Sequence, residues 1–255
     1  MLYSMPGNGN KRFNYICNMK TLVFALFTTL CFNFYGQGLF EYFKLTADGD
    51  GPEKFDRIIV DVNWNHWASS PNGVTQGLYS FGVSTYWFKD MPIGKKSNFA
   101  VALGLGFDSQ NFHHDGQFIF EQNINGDIFT NLIPLPEDYI TYKNKIALNY
   151  VDVPFEFRFR TMNKTLEDRM KFNFRFYLGF KAGVLVNDHL KIKDTETKVK
   201  VFNIPNVLPY RYGPTLRIGF NKIAFNAFYS LTNVFQSDKG VVLTPYSIGI
   251  SWMRF

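Results

Sequence analysis

The sequence predicts an all-β fold: an eight-stranded antiparallel up-and-down transmembrane β-barrel, preceded by a cleavable signal peptide. Three observations predict it. Aromatic residues make up 18% of the chain, with 29 Phe and 14 Tyr, which favours strands over helices. Apolar residues alternate with other types over runs of about ten positions, separated by Gly, Pro, Asn and Asp. The face opposite the apolar one is dominated by small residues, not by the Lys, Glu, Thr and Gln of a solvated sheet. A hydrophobic fraction of 46% excludes a disordered chain, and a mean hydropathy of -0.13 excludes a polytopic helical membrane protein.

Residues 1–36 read as the signal peptide. Lys11, Arg12 and Lys20 supply the positive region, Thr21–Phe34 the apolar core, and Gly36 a small residue at the cleavage position. About 14 apolar residues are too few to span a bilayer, which argues against a helical anchor. Met19 gives a more compact start than Met1. Both cysteines, Cys17 and Cys31, fall in this stretch, so the exported chain has no disulfide. Cleavage also removes three of the 27 basic residues, against 21 acidic ones, and that balance does not point to nucleic acid. Residues 37–54 read as a periplasmic linker and 55–255 as the barrel.

Eight runs follow in order. In the first, Ile58, Val60, Val62 and Trp64 oppose Arg57, Asp61, Asn63 and Asn65. In the second, Tyr79, Phe81, Val83, Thr85 and Trp87 oppose Ser80, Gly82, Ser84 and Tyr86. The third sets Phe99, Val101, Leu103, Leu105 and Phe107 against Ala100, Ala102, Gly104 and Gly106. The fourth sets Val151 through Phe159 at odd positions against Asp152, Pro154, Glu156, Arg158 and Arg160. Just before it, Ile146, Leu148 and Tyr150 are apolar at even positions, and a β-bulge that exchanges the faces accounts for the switch. The fifth alternates from Phe172 to Val184 against Arg175, Tyr177, Lys181 and Gly183. The sixth sets Tyr210, Tyr212, Leu216, Ile218 and Phe220 against Arg211, Gly213, Thr215, Arg217 and Gly219. The seventh contains Phe225, Ala227, Tyr229 and Leu231, and the eighth Tyr246, Ile248, Ile250 and Trp252.

A soluble sandwich and an outward-greasy barrel both fit one apolar face. Small residues decide for the barrel, because eight strands leave an interior only wide enough for side chains. The inferred lumen face carries Asp61, Glu156, Arg158, Arg160, Arg175, Lys181, Arg211 and Arg217, read as a salt-bridge and hydrogen-bond network filling the barrel. Tyr79, Trp87, Tyr150, Tyr210, Tyr229, Tyr246 and Trp252 lie near run ends and read as aromatic girdles. The connections from Gln110 to about Tyr142 and from Asn187 to about Pro205 are long and read as outer loops, while Asn221-Lys222 is a tight inner turn. Phe255 is an aromatic carboxy terminus, out of phase with Trp252.

The stretch Tyr150-Val-Asp-Val-Pro-Phe-Glu-Phe-Arg-Phe159 resembles a Pro-bearing strand of the PorT-like family of small outer-membrane β-barrel proteins. Asp56–Asp61, the surroundings of Pro71-Asn-Gly73, the glycine-rich Phe99–Gly106, Tyr229–Thr232 and Leu243–Gly249 are similar to further family segments in the same order. The resemblance covers about residues 40–255. It implies a cell-outer-membrane location and, through the family's founding member, a link to protein secretion; most relatives carry no assigned activity.

Other candidate sites are weaker. His113-His114-Asp115, near Ser109, suggests a metal site or lipid acyl chemistry at the outer rim, but neighbouring side chains of an extended chain point apart, and the plain reading is an exposed polar loop. His66 and His189 flank other outer connections. Asp48-Gly-Asp-Gly51 lacks the ligand frame of a calcium loop. Lys191–Lys200 alternates like an exposed hairpin whose lysines protect an edge or meet anionic headgroups. No phosphate loop, nucleophile elbow, metal cluster or nucleic-acid motif is present, and no cofactor is expected. The expected partners are outer-membrane lipid and other secretion or envelope proteins. The expectation is a non-enzymatic structural or assembly component, accessory to secretion; the alternatives are a rim-active lipid enzyme and a small passive pore.

Overall fold

A computed structural model describes residues 57–93, 98–136, 139, 141–161, 174–194 and 197–254. The signal peptide, the linker with Asp48-Gly-Asp-Gly51, and Phe255 lie outside the described residues. Eleven strands are present among them: β1 (Ile58–Trp67), β2 (Phe81–Pro92), β3 (Phe99–His113), β4 (Gly116–Gln122), β5 (Ile128–Pro134), β6 (Lys143–Arg160), β7 (Phe174–Lys193), β8 (Lys198–Phe202), β9 (Tyr210–Phe220), β10 (Ile223–Tyr229) and β11 (Pro245–Arg254).

Eight of them close into an antiparallel barrel. The order is β6-β3-β2-β1-β11-β10-β9-β7, and β6 pairs with β7 to complete the ring. Closure removes every lateral edge in the membrane, where an unpaired backbone group has no water to satisfy it. The first and last strands pair from Ile58↔Arg254 to Trp67↔Pro245. β8 extends the outer end of β7, and β4 and β5 form a separate hairpin.

The alternation seen in the sequence becomes an inside and an outside. Leu103, Phe157 and Ile250 are 49%, 56% and 61% exposed, while Ala102, Glu156 and Ser251 from the same strands are buried. A soluble sandwich would hide the first set. At the end carrying Ile58 and Arg254, the turns include the two-residue Asn221-Lys222, with Asn221 left-handed at φ 53°. All four connections at the opposite end are long (68–80, 114–142, 194–209 and 230–244), which makes that end the extracellular one.

Three expectations are corrected. The strands facing the third and fifth connections are longer than their runs: β3 continues to His113 and β7 to Lys193, and the third connection contains the β4–β5 hairpin. The periodicity alone did not carry these ends because their exposed faces turn polar above the membrane. Secondly, the faces do not exchange within β6. Even positions point inward from Asn144 to Arg160, and what changes at Tyr150 is the chemistry of the interior, from apolar to charged. A bulge does occur there, but the register passes from Asn149↔Asn187 to Tyr150↔Leu185, so the extra residue is Val186 on β7. Thirdly, Tyr150 is not a girdle residue. Its ring is buried inside the barrel.

Candidate functional site

The interior has two storeys. The lower one is charged. Arg211 Nη2 reaches Asp108 at 2.5 Å and Asp152 at 2.8 Å, and Lys181 Nζ reaches the same carboxylates at 3.0 and 3.3 Å. Tyr86 lies across this group: its hydroxyl donates to Asp152 (3.2 Å) and accepts from Lys181 (2.9 Å). Ser84 donates to Asp108, and Asn63 donates to Ser84. Nearer the inner rim, Arg217 bridges Asp61 (2.5 Å) and Glu156, Arg158 pairs with Glu156 (2.6 Å) and Asp90 (2.5 Å), and Arg160 also pairs with Asp90. Arg175 donates to the Tyr177 hydroxyl at 3.1 Å.

All eight residues read as lumen-facing are therefore inside, and the ion pairs among the described residues include Asp61, Glu156, Arg158, Arg160, Lys181, Arg211 and Arg217. Sequence reasoning did not single out Asp90, Asp108, Asp152, Tyr86 or Tyr177. Their signal was parity: Asp108 continues the inward series of Ala100 to Gly106, and Asp152 that of Glu156 and Arg158. In this storey five carboxylates face six cations among the described residues, and a sixth buried carboxylate, Asp188, faces inward above them, which leaves the interior balanced as a low dielectric requires. Rings insulate the charges, with the Arg211 guanidinium 3.8 Å from the Tyr150 ring and Arg158 at 4.2 Å from Phe88.

Glycines make room for this packing. A Cβ on Gly106 would stand 2.2 Å from the Tyr86 ring, and one on Gly183 2.0 Å from Asp152 Oδ1. Between the two ion clusters is a cavity of about 10 Å³, the room of one water, lined by Asp61, Asn63, Lys181, Thr215 and Arg217 among others. Among the described residues Asp61 Oδ1, Asn63 Oδ1 and Thr215 Oγ1 have no hydrogen-bond partner.

The upper storey is apolar. Trp67, Phe112, Ile146, Leu148, Tyr150 and Leu190 from the barrel strands pack with Val74, Phe118, Leu132, Ile204, Val207, Val234, Phe235 and Leu243 from the outer connections. The expectation of a polar plug throughout is corrected: the outer half of the interior is a hydrophobic core sealed by a lid. Hydrogen bonds knit the lid. Asn206 donates to the Ile128 and Lys239 carbonyls, Thr130 to that of Pro205, and Asp115 accepts from Thr75, while Lys239 pairs with Asp127 at 2.9 Å. The Lys239 hydrogen bond holds the exposed Asp127 carboxyl below its usual range.

The two adjacent histidines point apart. His113 ends β3 on the outer face, opposite Lys145. His114 is not in an exposed loop but buried, its ring 5.7 Å from Trp67 and 5.2 Å from Phe118. Burial pushes its imidazole down to about 4. The Asp115 carboxylate is taken by Thr75, so these residues do not assemble as a nucleophile and base. No group of three or more His, Cys, Asp or Glu able to hold a metal occurs among the described residues. His66 stacks on Trp64 at 4.8 Å, and His189 lies against Phe202.

Outside, Trp87 and Trp252 mark the rim near the chain ends, at the level of Ile58 and Val60. Tyr79, Tyr210, Tyr229 and Tyr246 mark the other rim, with Tyr229 directly opposite Tyr246. Between them the exposed strand side chains are apolar apart from Thr85, in the two-belt arrangement of a membrane-spanning barrel.

No curated protein and no solved structure matches the chain. Residues 59–236 match the family model of the outer membrane protein β-barrel domain. That match covers more than half of the chain, and the closed eight-stranded ring with its apolar belt agrees with it: the chain belongs to this family of outer-membrane β-barrels and resides in the cell outer membrane.

Proposed function

We propose that the protein is a non-conducting, non-enzymatic scaffold of the outer membrane, a member of the PorT-like group, that serves as an accessory to protein secretion. The observation that carries the scaffold reading is the filled interior. An ion-pair network from Asp61 to Arg211 is capped by an apolar storey and a hydrogen-bonded lid, which favours rigidity over transport. Such a barrel holds four outer connections in one fixed surface, a form suited to docking envelope proteins. The secretion role rests on the likeness of Tyr150–Phe159 to the Pro-bearing strand of that group.

Deletion of the gene tests the role. Exported proteins should accumulate in the periplasm and fall at the cell surface, and complementation should restore them. Normal surface levels in the deletion strain would refute the secretion reading. Steady single-channel conductance of the purified protein in a planar bilayer would refute the non-conducting one.

A further inference from the structure

Six lysines form a lattice on the outer face of the barrel wall. Lys145 on β6 is the register partner of Lys191 on β7, which is the partner of Lys200 on β8. One step further out, Lys143, Lys193 and Lys198 repeat the row. Direct cross-strand neighbours have Cβ atoms about 5 Å apart, and like charges at that spacing oppose pairing. Among the described residues none of the six has a carboxylate within ion-pair reach. Lys145 donates to Asn111, and Lys200 lies 4.4 Å from the Phe202 ring. A strand pair kept together by packing alone does not need this arrangement, since two or three edge lysines would suffice against aggregation.

Position identifies the occupant. On β6 the outward apolar series runs from Phe159 to Val151 and is followed by Asn149, Ala147, Lys145 and Lys143. Ala147 is buried, so Val151 is the last apolar side chain of the series open to lipid. Lys145 is six residues past it, which at about 3.3 Å per residue and a tilt of about 40° lifts it roughly 15 Å above the hydrocarbon edge. That height exceeds the lipid headgroup zone of roughly 6 Å per leaflet. The lattice also looks sideways from the wall, toward neighbouring lipid, and not up into the medium where a soluble partner would approach.

We infer that this lattice docks the phosphate-bearing saccharide headgroup of an outer-leaflet glycolipid, each row of three ammoniums facing one anionic sugar layer. Multiple phosphates per molecule match the two-by-three array, and the bound anions relieve the repulsion between the strands.

The protein, extracted in neutral detergent and exchanged free of lipid, is titrated at about 150 mM salt with a lipopolysaccharide phosphorylated on its core sugars. Lys145→Gln/Lys191→Gln/Lys200→Gln should bind it roughly 100-fold more weakly, whereas the corresponding triple Arg variant should stay within about threefold of wild type. Heat-modifiable migration on gels shows that both variants are folded. The inference is overturned if the Gln variant binds as wild type does, or if the dephosphorylated glycolipid binds as tightly as the phosphorylated one. It also falls if about 10 mM inorganic phosphate displaces the glycolipid, which would make free phosphate the ligand. Equal binding of vesicles containing phosphatidylglycerol would assign the lattice to simple headgroups, and tighter binding of polyglutamate would assign it to an acidic protein; either replaces the glycolipid.

Discussion

Arg211 shows how a single residue is held by its surroundings. Both its acceptors, Asp108 and Asp152, are buried, and its plane covers Tyr150. Arg211→Leu leaves Lys181 as the one cation paired with two carboxylates among the described residues, and removal of one partner from a buried network costs about 3–5 kcal/mol. The expected readout is a lower urea midpoint for the folded gel band in neutral vesicles. His114 gives the pH dependence. Its folded value of about 4 lies below the unfolded value near 6.5, so the native lid holds it neutral. As pH falls from about 6.5 toward 4, the unfolded chain takes up the proton first, and stability drops by up to about 1.4 kcal/mol per pH unit before levelling off. His114→Phe should flatten that part of the profile. The sequence displayed His114 as one of a polar pair; only packing against Trp67 and Phe118 reveals it as core.

β6 and β7 join the membrane wall to the outer storey. Val153 faces lipid at 48% exposure while its neighbours Asp152 and Pro154 are buried. Val153→Arg should destabilise the barrel by about 2–4 kcal/mol, most in thick bilayers, whereas Val153→Leu should be nearly neutral. The β7 bulge at Val186 sets which face its outer end presents. Deleting Val186 would turn Lys191 and Lys193 toward the apolar storey and Leu190 outward. Protease cleavage within 194–209 should then rise sharply while the inner half of the barrel stays protected. The sequence displayed a parity switch close to this point but on the wrong strand, because an apolar interior at Ile146 and Leu148 looks the same as an apolar exterior.

For the whole molecule, two independent seals close the lumen. Phe118→Ala should loosen the lid by about 3–5 kcal/mol yet leave conductance at background, because the ion network beneath still fills the barrel. A variant that also carries Arg217→Ala and Arg211→Ala should be the first to conduct, as measured in planar bilayers. The glycine-rich inner face belongs to the same design. Gly106 and Gly183 exist where Tyr86 and Asp152 need their volume, and neither partner is adjacent in sequence.

The sequence by itself determined the eight membrane strands and which face of each meets lipid, since a period of two is a local property and one face must be apolar to enter hydrocarbon. It also marked Asp61, Glu156, Arg158, Arg160, Arg175, Lys181, Arg211 and Arg217 as inward. The tertiary structure alone decided which charges pair, that the upper interior is built around an apolar core, and that lysines from three strands stand in register. Those facts depend on residues far apart in the chain being brought level by strand stagger and ring closure, and no local pattern records that alignment.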